Sequence, residues 1–498
     1  MAETETQDQA YVDNGVKVVQ TDVGNKDGQV KCPKCGSTDI STNAATGQLR
    51  CNFCRFEFEP QKLEMETDIS KLSGTTIGSG AQDIVADTKD QITLKCTSCG
   101  AEVVIDTASA NQARCHWCRN TLSLNQQIPN GAIPDMVLAF KVKKDEAKKA
   151  IESFVGKRKF YAHPKFRQEF TTNNIMGVYF PYMVVDLNTH SHLTGLGEHQ
   201  TRSYSEGSGE HRVTYYDADL YQVGRDFDLT IHGLSIESNK DRLDTTNKTK
   251  TNNIINSIMP FDVENSVKYD SNYLKGFTSE RRDSNITELT PIITERAKDI
   301  ARFSANASLK NYDRGVSWQS EQLDIKGQQW KAAYLPVWLY SYQEDKGDRK
   351  LLHYVAVNAR TKESMGSVPI YLPKLFLFAF LVELLGIFGF IKLDFDYDFL
   401  LLLVGPLYFF YIYTKYRNQN ARDQYETETK TNVTNLKTMD QFVEHRTRLR
   451  NSKIENQNNT TVRGASMNLK KKTGLGLDLD LKNFAADQLS SITDQFLK

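Results

Sequence analysis

Cys32-Pro-Lys-Cys35-Gly36, separated by the fifteen residues after Cys35 from Cys51-Asn-Phe-Cys54, is the stretch on which the reading of this chain turns. Cys96-Thr-Ser-Cys99-Gly100 and Cys115-His-Trp-Cys118 repeat it at the same internal spacing, 64 residues further on. A C-x-x-C turn brings two thiolates onto one ion, and a second such turn completes a tetrahedral four-sulfur shell. Cys32, Cys35, Cys51 and Cys54 are therefore read as ligands of one structural Zn2+, and Cys96, Cys99, Cys115 and Cys118 as ligands of a second. With four protein ligands each, neither site keeps an open coordination position, so both are expected to brace the fold rather than catalyse. Gly36 and Gly100 fall where a knuckle turns tightly and a positive φ costs glycine little. Gly47–Arg50 and Ala101–Asp106 have the short β character of zinc ribbons. His116, inside the last knuckle, is read as a surface residue beside a complete cysteine set.

All eight cysteines lie between Cys32 and Cys118, and none occurs in the following 380 residues. A disulfide framework would scatter them, whereas clustered pairs fit metal binding in a reducing compartment. Lys+Arg and Asp+Glu both number 62 in the 498-residue chain, so it lacks the basic balance of a protein that chiefly grips a phosphate backbone. Near the ribbons, Lys31, Lys34, Arg50 and Arg55 are offset by Asp39, Glu57 and Glu59, and Lys95, Arg114 and Arg119 by Glu102 and Asp106. Phe53, Phe56, Phe58 and Trp117 are expected to build the small ribbon cores.

The fold class expected is α+β: two zinc ribbons, an internally duplicated α+β domain and a two-helix transmembrane hairpin. Residues 1–29 read as a disordered, mildly acidic leader, 30–60 and 92–125 as the ribbons, and 61–91 as a polar linker. Residues 126–370 form the α+β domain, with a helix from Lys144 to Val155 set by Ala147, Ala150, Ile151 and Phe154. Gly177–Asp186 and Lys331–Tyr340 share an aromatic-x-Pro core that aligns Pro181 with Pro336, the basis for the duplication. Each proline is expected at a strand start or edge, since it cannot donate to a central ladder. Val213–Val223 and Phe227–Ile231 alternate like strands. His190, His192, His199 and His211 near Asp217 and Asp219 read as exposed loop residues rather than a second kind of metal site. No Walker loop, nucleophile elbow, H-E-x-x-H or dinucleotide fingerprint occurs, so no enzymatic role is expected.

Residues 371–414 hold two apolar runs, Leu375–Ile391 with Glu383 as its one charge, and Phe399–Tyr413. They are read as a two-span hairpin in the cell membrane. Lys374 before it and Lys415, Arg417 and Arg422 after it place both termini in the cytoplasm by the positive-inside rule. Residues 415–498 are read as a cytoplasmic helical tail whose Leu481, Phe484, Leu489, Ile492 and Phe496 lie roughly on one face.

The double ribbon, Ile128-Pro-Asn-Gly, Gly177-Val-Tyr-Phe-Pro-Tyr-Met, Met259-Pro-Phe-Asp262, Tyr273-Leu-Lys-Gly-Phe277 and Tyr334-Leu-Pro-Val-Trp338 together resemble the TFIIB-type zinc-ribbon membrane proteins of Gram-positive bacteria. That family is often loosely labelled replication-restart helicase or phage replication protein, although this chain lacks the motor motifs of a helicase. The resemblance implies partners at the membrane, such as phage shock protein A or SPFH-type scaffolds. The function expected is a non-enzymatic, membrane-anchored adaptor that recruits cytosolic proteins. The alternative is a membrane-tethered nucleic-acid binder.

Overall fold

The computed structural model describes most residues from Ala10 to Arg450. Residues 1–9, 22–31, 43–47, 64–67, 84–90, 96–101, 107–112, 117–120, 123–126, 129–133, 208–212, 240–257, 393–402, 417–424 and 451–498, with a few isolated positions, lie outside the description. The described residues are mixed α and β. They divide into two compact units. One comprises Met1–Thr189, Leu229–Arg296 and Ile325–Asn432, the other His190–Asp228, Ala297–Asp324 and Val433–Lys498.

In the first unit the chain from Gly177 to Thr189, within the strand Met176–Glu206, is buried at every position. A strand covered on both faces reads as an unbroken apolar run, and Val178-Tyr-Phe-Pro-Tyr-Met-Val-Val does so. Its neighbour is the strand Gly315–Lys346, and the sheet then runs through Gly74–Gly78 and Val16–Val19 to Ala10–Asp13. On the other side it continues through Thr278–Glu280, Glu102–Asp106 and Gln91–Lys95 to Gln127–Ile128. Two expectations fail here. Part of the supposed leader, Ala10–Asp13 with Val16–Val19, is an antiparallel strand pair, and part of the supposed linker, Gly74–Gly78, lies parallel to both Val16–Val19 and Gly315–Lys346.

Buried Asp135 ties these outer strands down. It accepts hydrogen bonds from the Thr21 hydroxyl, the Gly80 N–H at 2.7 Å and the Ala332 N–H at 2.7 Å. Burial pushes its carboxyl above the usual range, against the donors and the nearby Arg282 charge.

Pro181 and Pro336 sit inside the two long strands, not at a start or edge. A proline lacks only the donor, and its carbonyl still takes a bond. The Pro181 carbonyl accepts the Ser238 N–H at 3.1 Å, and the Pro336 carbonyl accepts the Ala359 N–H at 3.1 Å. The surroundings correspond position by position. The Ser238 carbonyl receives the N–H groups of Asp283 and Ser284, and the Ala359 carbonyl those of Lys141 and Val142. Thr278–Ser279 pair in parallel with Val178–Tyr179, and Met136–Val137 with Ala333–Tyr334. Helices Lys144–Gly156 and Ile286–Ala305 follow at once. Each opens with a glutamate reaching back to an N–H, Glu146 to Lys143 at 3.1 Å and Glu288 to Asn285 at 3.0 Å. Ala147 and Ile151 on one helix, Leu289 and Ile293 on the other, point into the core.

Helix Leu372–Lys392 is the one helix among the described residues long and apolar enough to cross a membrane. Helix Val404–Tyr416 has 13 residues, about 20 Å, short of the roughly 30 Å hydrocarbon layer. The two-span hairpin, and the localisation built on it, is thereby overturned. Glu383 faces the neighbouring helix: its carboxylate accepts the Gly405 N–H at 2.7 Å at the start of Val404–Tyr416. Gly405 is required there, because a Cβ would lie 2.6 Å from that of Glu383 and 2.8 Å from the Ala379 carbonyl.

In the second unit, Met176–Glu206 and Val213–Glu237 contribute their distal parts, where burial alternates in the period-2 manner of a sheet with one covered face. Val213–Glu237 is one strand where two were expected. Residues 433–450 of the strand Lys430–Arg450 belong here too, so the described part of the tail is extended rather than helical apart from Tyr425–Glu428 in the first unit.

Candidate metal centre

The first ribbon is a three-stranded antiparallel sheet, Ile40–Thr42, Leu49–Cys51 and Glu57–Phe58. At its end two turns converge. The Gly36 N–H bonds the Cys32 carbonyl at 2.8 Å, and the Arg55 N–H bonds the Cys51 carbonyl at 2.9 Å. Gly36 has φ +73°, as its place in the knuckle demands. The second knuckle reaches the same conformation with Arg55 at φ +59°, a residue for which sequence gave no such signal.

These turns gather Cys32, Cys35, Cys51 and Cys54 so that all four sulfurs lie within 4.8 Å of one another. Cys32 Sγ is 3.5 Å from Cys54 Sγ, and Cys35 Sγ is 3.6 Å from Cys51 Sγ. Thiolates bound 2.3 Å from a central ion stand about 3.8 Å apart along a tetrahedral edge, so the cluster has the dimensions of a zinc site. Taken as thiols, Cys51 and Cys35 are shifted in opposite directions. The Cys54 N–H, foremost among several donors, draws Cys51 down to about 6. Cys35 is pushed up to about 12: the Ser37 N–H favours its thiolate, but desolvation and the neighbouring sulfurs prevail. A divalent cation permits all four to ionise together, and binding would release protons.

No second four-cysteine cluster is shown among the described residues. Cys96, Cys99 and Cys118 lie outside the described residues, and Cys115 is buried. Of the segments expected in the second ribbon, Gln91–Lys95 pairs with Glu102–Asp106 within the large sheet, and Ala113–Arg114 with Thr121–Leu122 in a separate two-stranded one. His116 is not on the surface. Its Nε2 lies 2.7 Å from a carboxylate oxygen of buried Glu280, its ring stands edge-on to Phe180, and its carbonyl accepts the Ser341 hydroxyl.

Ribbon aromatics also depart from expectation. Phe58 packs against the main core, reached as well by Ile40 and Leu49. Phe53 is 80% exposed and Phe56 40%, and the Lys34 ammonium lies 5.8 Å from the Phe56 ring centre. Trp117 lies outside the described residues.

His190, His192 and His199 are on the strand Met176–Glu206, not in a loop; the first two share Asp226, and His199 is held elsewhere. His190 bonds Asp228 and Asp226, His192 bonds Asp226, and His199 bonds the Asn311 carbonyl. Asp219 instead meets His445, and Asp217 accepts the Arg448 N–H. His211 lies outside the described residues.

Compared with protein-family models, curated proteins and solved structures, the chain has no match in any of the three. The motifs that suggested a family nonetheless have physical roles. Asp262 of Met259-Pro-Phe-Asp holds the Arg360 guanidinium with both oxygens, at 2.8 and 2.5 Å. Phe277 of Tyr273-Leu-Lys-Gly-Phe stacks on Phe140 with ring centres 4.2 Å apart. These residues build the core, and sequence reasoning had assigned them no contact.

Proposed function

We propose that the protein is a non-enzymatic adaptor held at a membrane by its apolar helix, with the cysteine-braced ribbon as its recognition element for protein partners. The observation that carries this reading is the contrast within the ribbon. Four cysteines and a small sheet fix its shape, while Phe53 stands in solvent and Phe56, stacked on Phe58, keeps an exposed edge beside it instead of filling the core. Exposed aromatics on a rigid frame lose little conformational freedom on binding, which is what a recognition surface needs. The correspondence between the chain around Pro181 and that around Pro336 supports a tandem duplication of the α+β core that carries the ribbon. The second ribbon takes a second Zn2+ through Cys96, Cys99, Cys115 and Cys118.

A photo-crosslinking amino acid placed at Phe53 in the full chain tests the reading in cells. The expected result is a discrete protein adduct that disappears when Cys51 and Cys54 are both replaced by Ser. Equal adducts from both chains, or none, sinks it. Nucleic-acid binding is the second reading, favoured by Lys34 beside Phe56. It requires salt-dependent retention of an oligonucleotide by the full chain, reduced by F53A.

A further inference from the structure

We infer that the foot of the apolar helix is a receptor for anionic lipid, so that attachment selects a negatively charged bilayer rather than any apolar phase. The inference rests on the membrane reading above and adds the class of lipid. Only 17% of the apolar window Leu372–Gly389 is buried within the protein. Phe380 and Leu385 are 60% and 72% exposed, and Leu377, Leu381, Leu384 and Phe388 are exposed beside them. A helix apolar on its outer side needs an apolar surrounding, and a hydrocarbon layer is the occupant that fits its length.

What surrounds the foot of this helix decides the lipid. Lys374, in its first turn, donates to the Phe160 carbonyl at 2.8 Å and lies 3.6 Å from the centre of the Phe160 ring. Phe160 belongs to Lys157-Arg-Lys-Phe160, in which both lysines and the phenylalanine are exposed. Arg158 is spent on structure: it lies over the Phe154 ring and donates to the carbonyls of Phe154 and Lys415. That last bond brings Lys415, at the end of Val404–Tyr416, to the same place. Tyr161 completes the junction through its N–H to the Tyr416 hydroxyl and its hydroxyl to that of Tyr408, at 2.6 Å.

Three separate segments thus deliver Lys157, Lys159, Lys374 and Lys415 to the base of one exposed apolar helix. No aspartate or glutamate occurs in residues 156–168, 371–382 or 404–416 to neutralise them. Phe160 adds an aromatic side chain of the kind that settles at the headgroup level. Lysines at this depth meet lipid phosphates, and each strengthens attachment to an anionic leaflet by roughly fivefold at low salt.

The test uses the full chain, purified in detergent and exchanged into vesicles of phosphatidylcholine alone or with one quarter phosphatidylglycerol, then floated on a density gradient. At 0.1 M NaCl the expected recovery favours the mixed vesicles at least tenfold, and the preference shrinks at 0.5 M NaCl. A chain carrying K157Q, K159Q, K374Q and K415Q should float equally on both, with an unchanged near-UV circular dichroism spectrum showing intact packing. A second chain with F380S and L385S, both at exposed positions, should lose recovery on both. Equal recovery of the unmodified chain on the two vesicle types, or a preference that survives the four glutamines, overturns the inference and leaves the membrane reading standing. Recovery on neither overturns both.

Discussion

Asp135 is a buried acceptor surrounded by donors, and its value lies in having two oxygens. In D135N one oxygen becomes an NH2 that confronts an N–H or O–H, so a donor is left facing a donor. We expect a loss of about 1–3 kcal/mol in urea unfolding, with loosened protection of the amides in Ala10–Val19 in hydrogen exchange. Asp262 offers a pH test. Burial opposes its ionisation, but the Arg360 guanidinium outweighs that and holds the carboxyl below the usual range. Its contribution is therefore present above the unfolded pKa near 4 and lost as pH falls through the lower folded value. The stability gap between the unmodified protein and D262N should be about 1–2 kcal/mol at pH 7 and close towards pH 3; a gap that widens on acidification would contradict the assignment. Of such residues the sequence displayed only the cysteines, because metal ligation fixes both residue type and spacing. Asp135, Arg360 and buried His116 owe their roles to partners at least 55, 98 and 164 positions away, which no local pattern encodes.

Elements were legible where one face is buried and the other wet. Lys144–Gly156 shows its helical stripe openly, and its observed span ends one residue beyond the expected one. Strand Lys430–Arg450 is exposed at nearly every position, so it carries no alternation and reads as polar helix; charge pairs such as buried Arg225 with Asp440, and Arg446 with Glu198 at 3.2 Å, hold residues 433–450 instead. The long strands were misjudged for the opposite reason. Covered on both faces around Pro181 and Pro336, they show continuous apolar sequence, and each proline imitates a break. Helix Val404–Tyr416 is positioned by the contact of Gly405 with Glu383 and Ala379. G405A should force these helices apart and cost about 1–3 kcal/mol, whereas G156A, where an added Cβ meets nothing, should be near neutral or slightly stabilising. Thermal unfolding of both variants in the same detergent distinguishes them.

At the scale of the molecule, the ribbon is coupled to the core that carries it. Ile40 and Leu49 of its small sheet share an apolar cluster with Tyr273 and Leu274. Removing the metal with a chelator is therefore expected to lower the thermal midpoint of the whole chain by several degrees, and restoring zinc to recover it. Metal analysis should find one fewer equivalent in a chain carrying C51S and C54S; an unchanged zinc content would exclude the cluster as its binding site.

The carbonyls of Ser238 and Ala359 have one more implication. Each is satisfied by a distant stretch of chain just ahead of a helix, Asp283 and Ser284 in one case, Lys141 and Val142 in the other. A fragment that begins after Val142 or ends before Asp283 would therefore leave one of these carbonyls without its donors, so the stretch from Lys141 to Ala359 has to be expressed whole to keep both sets of bonds.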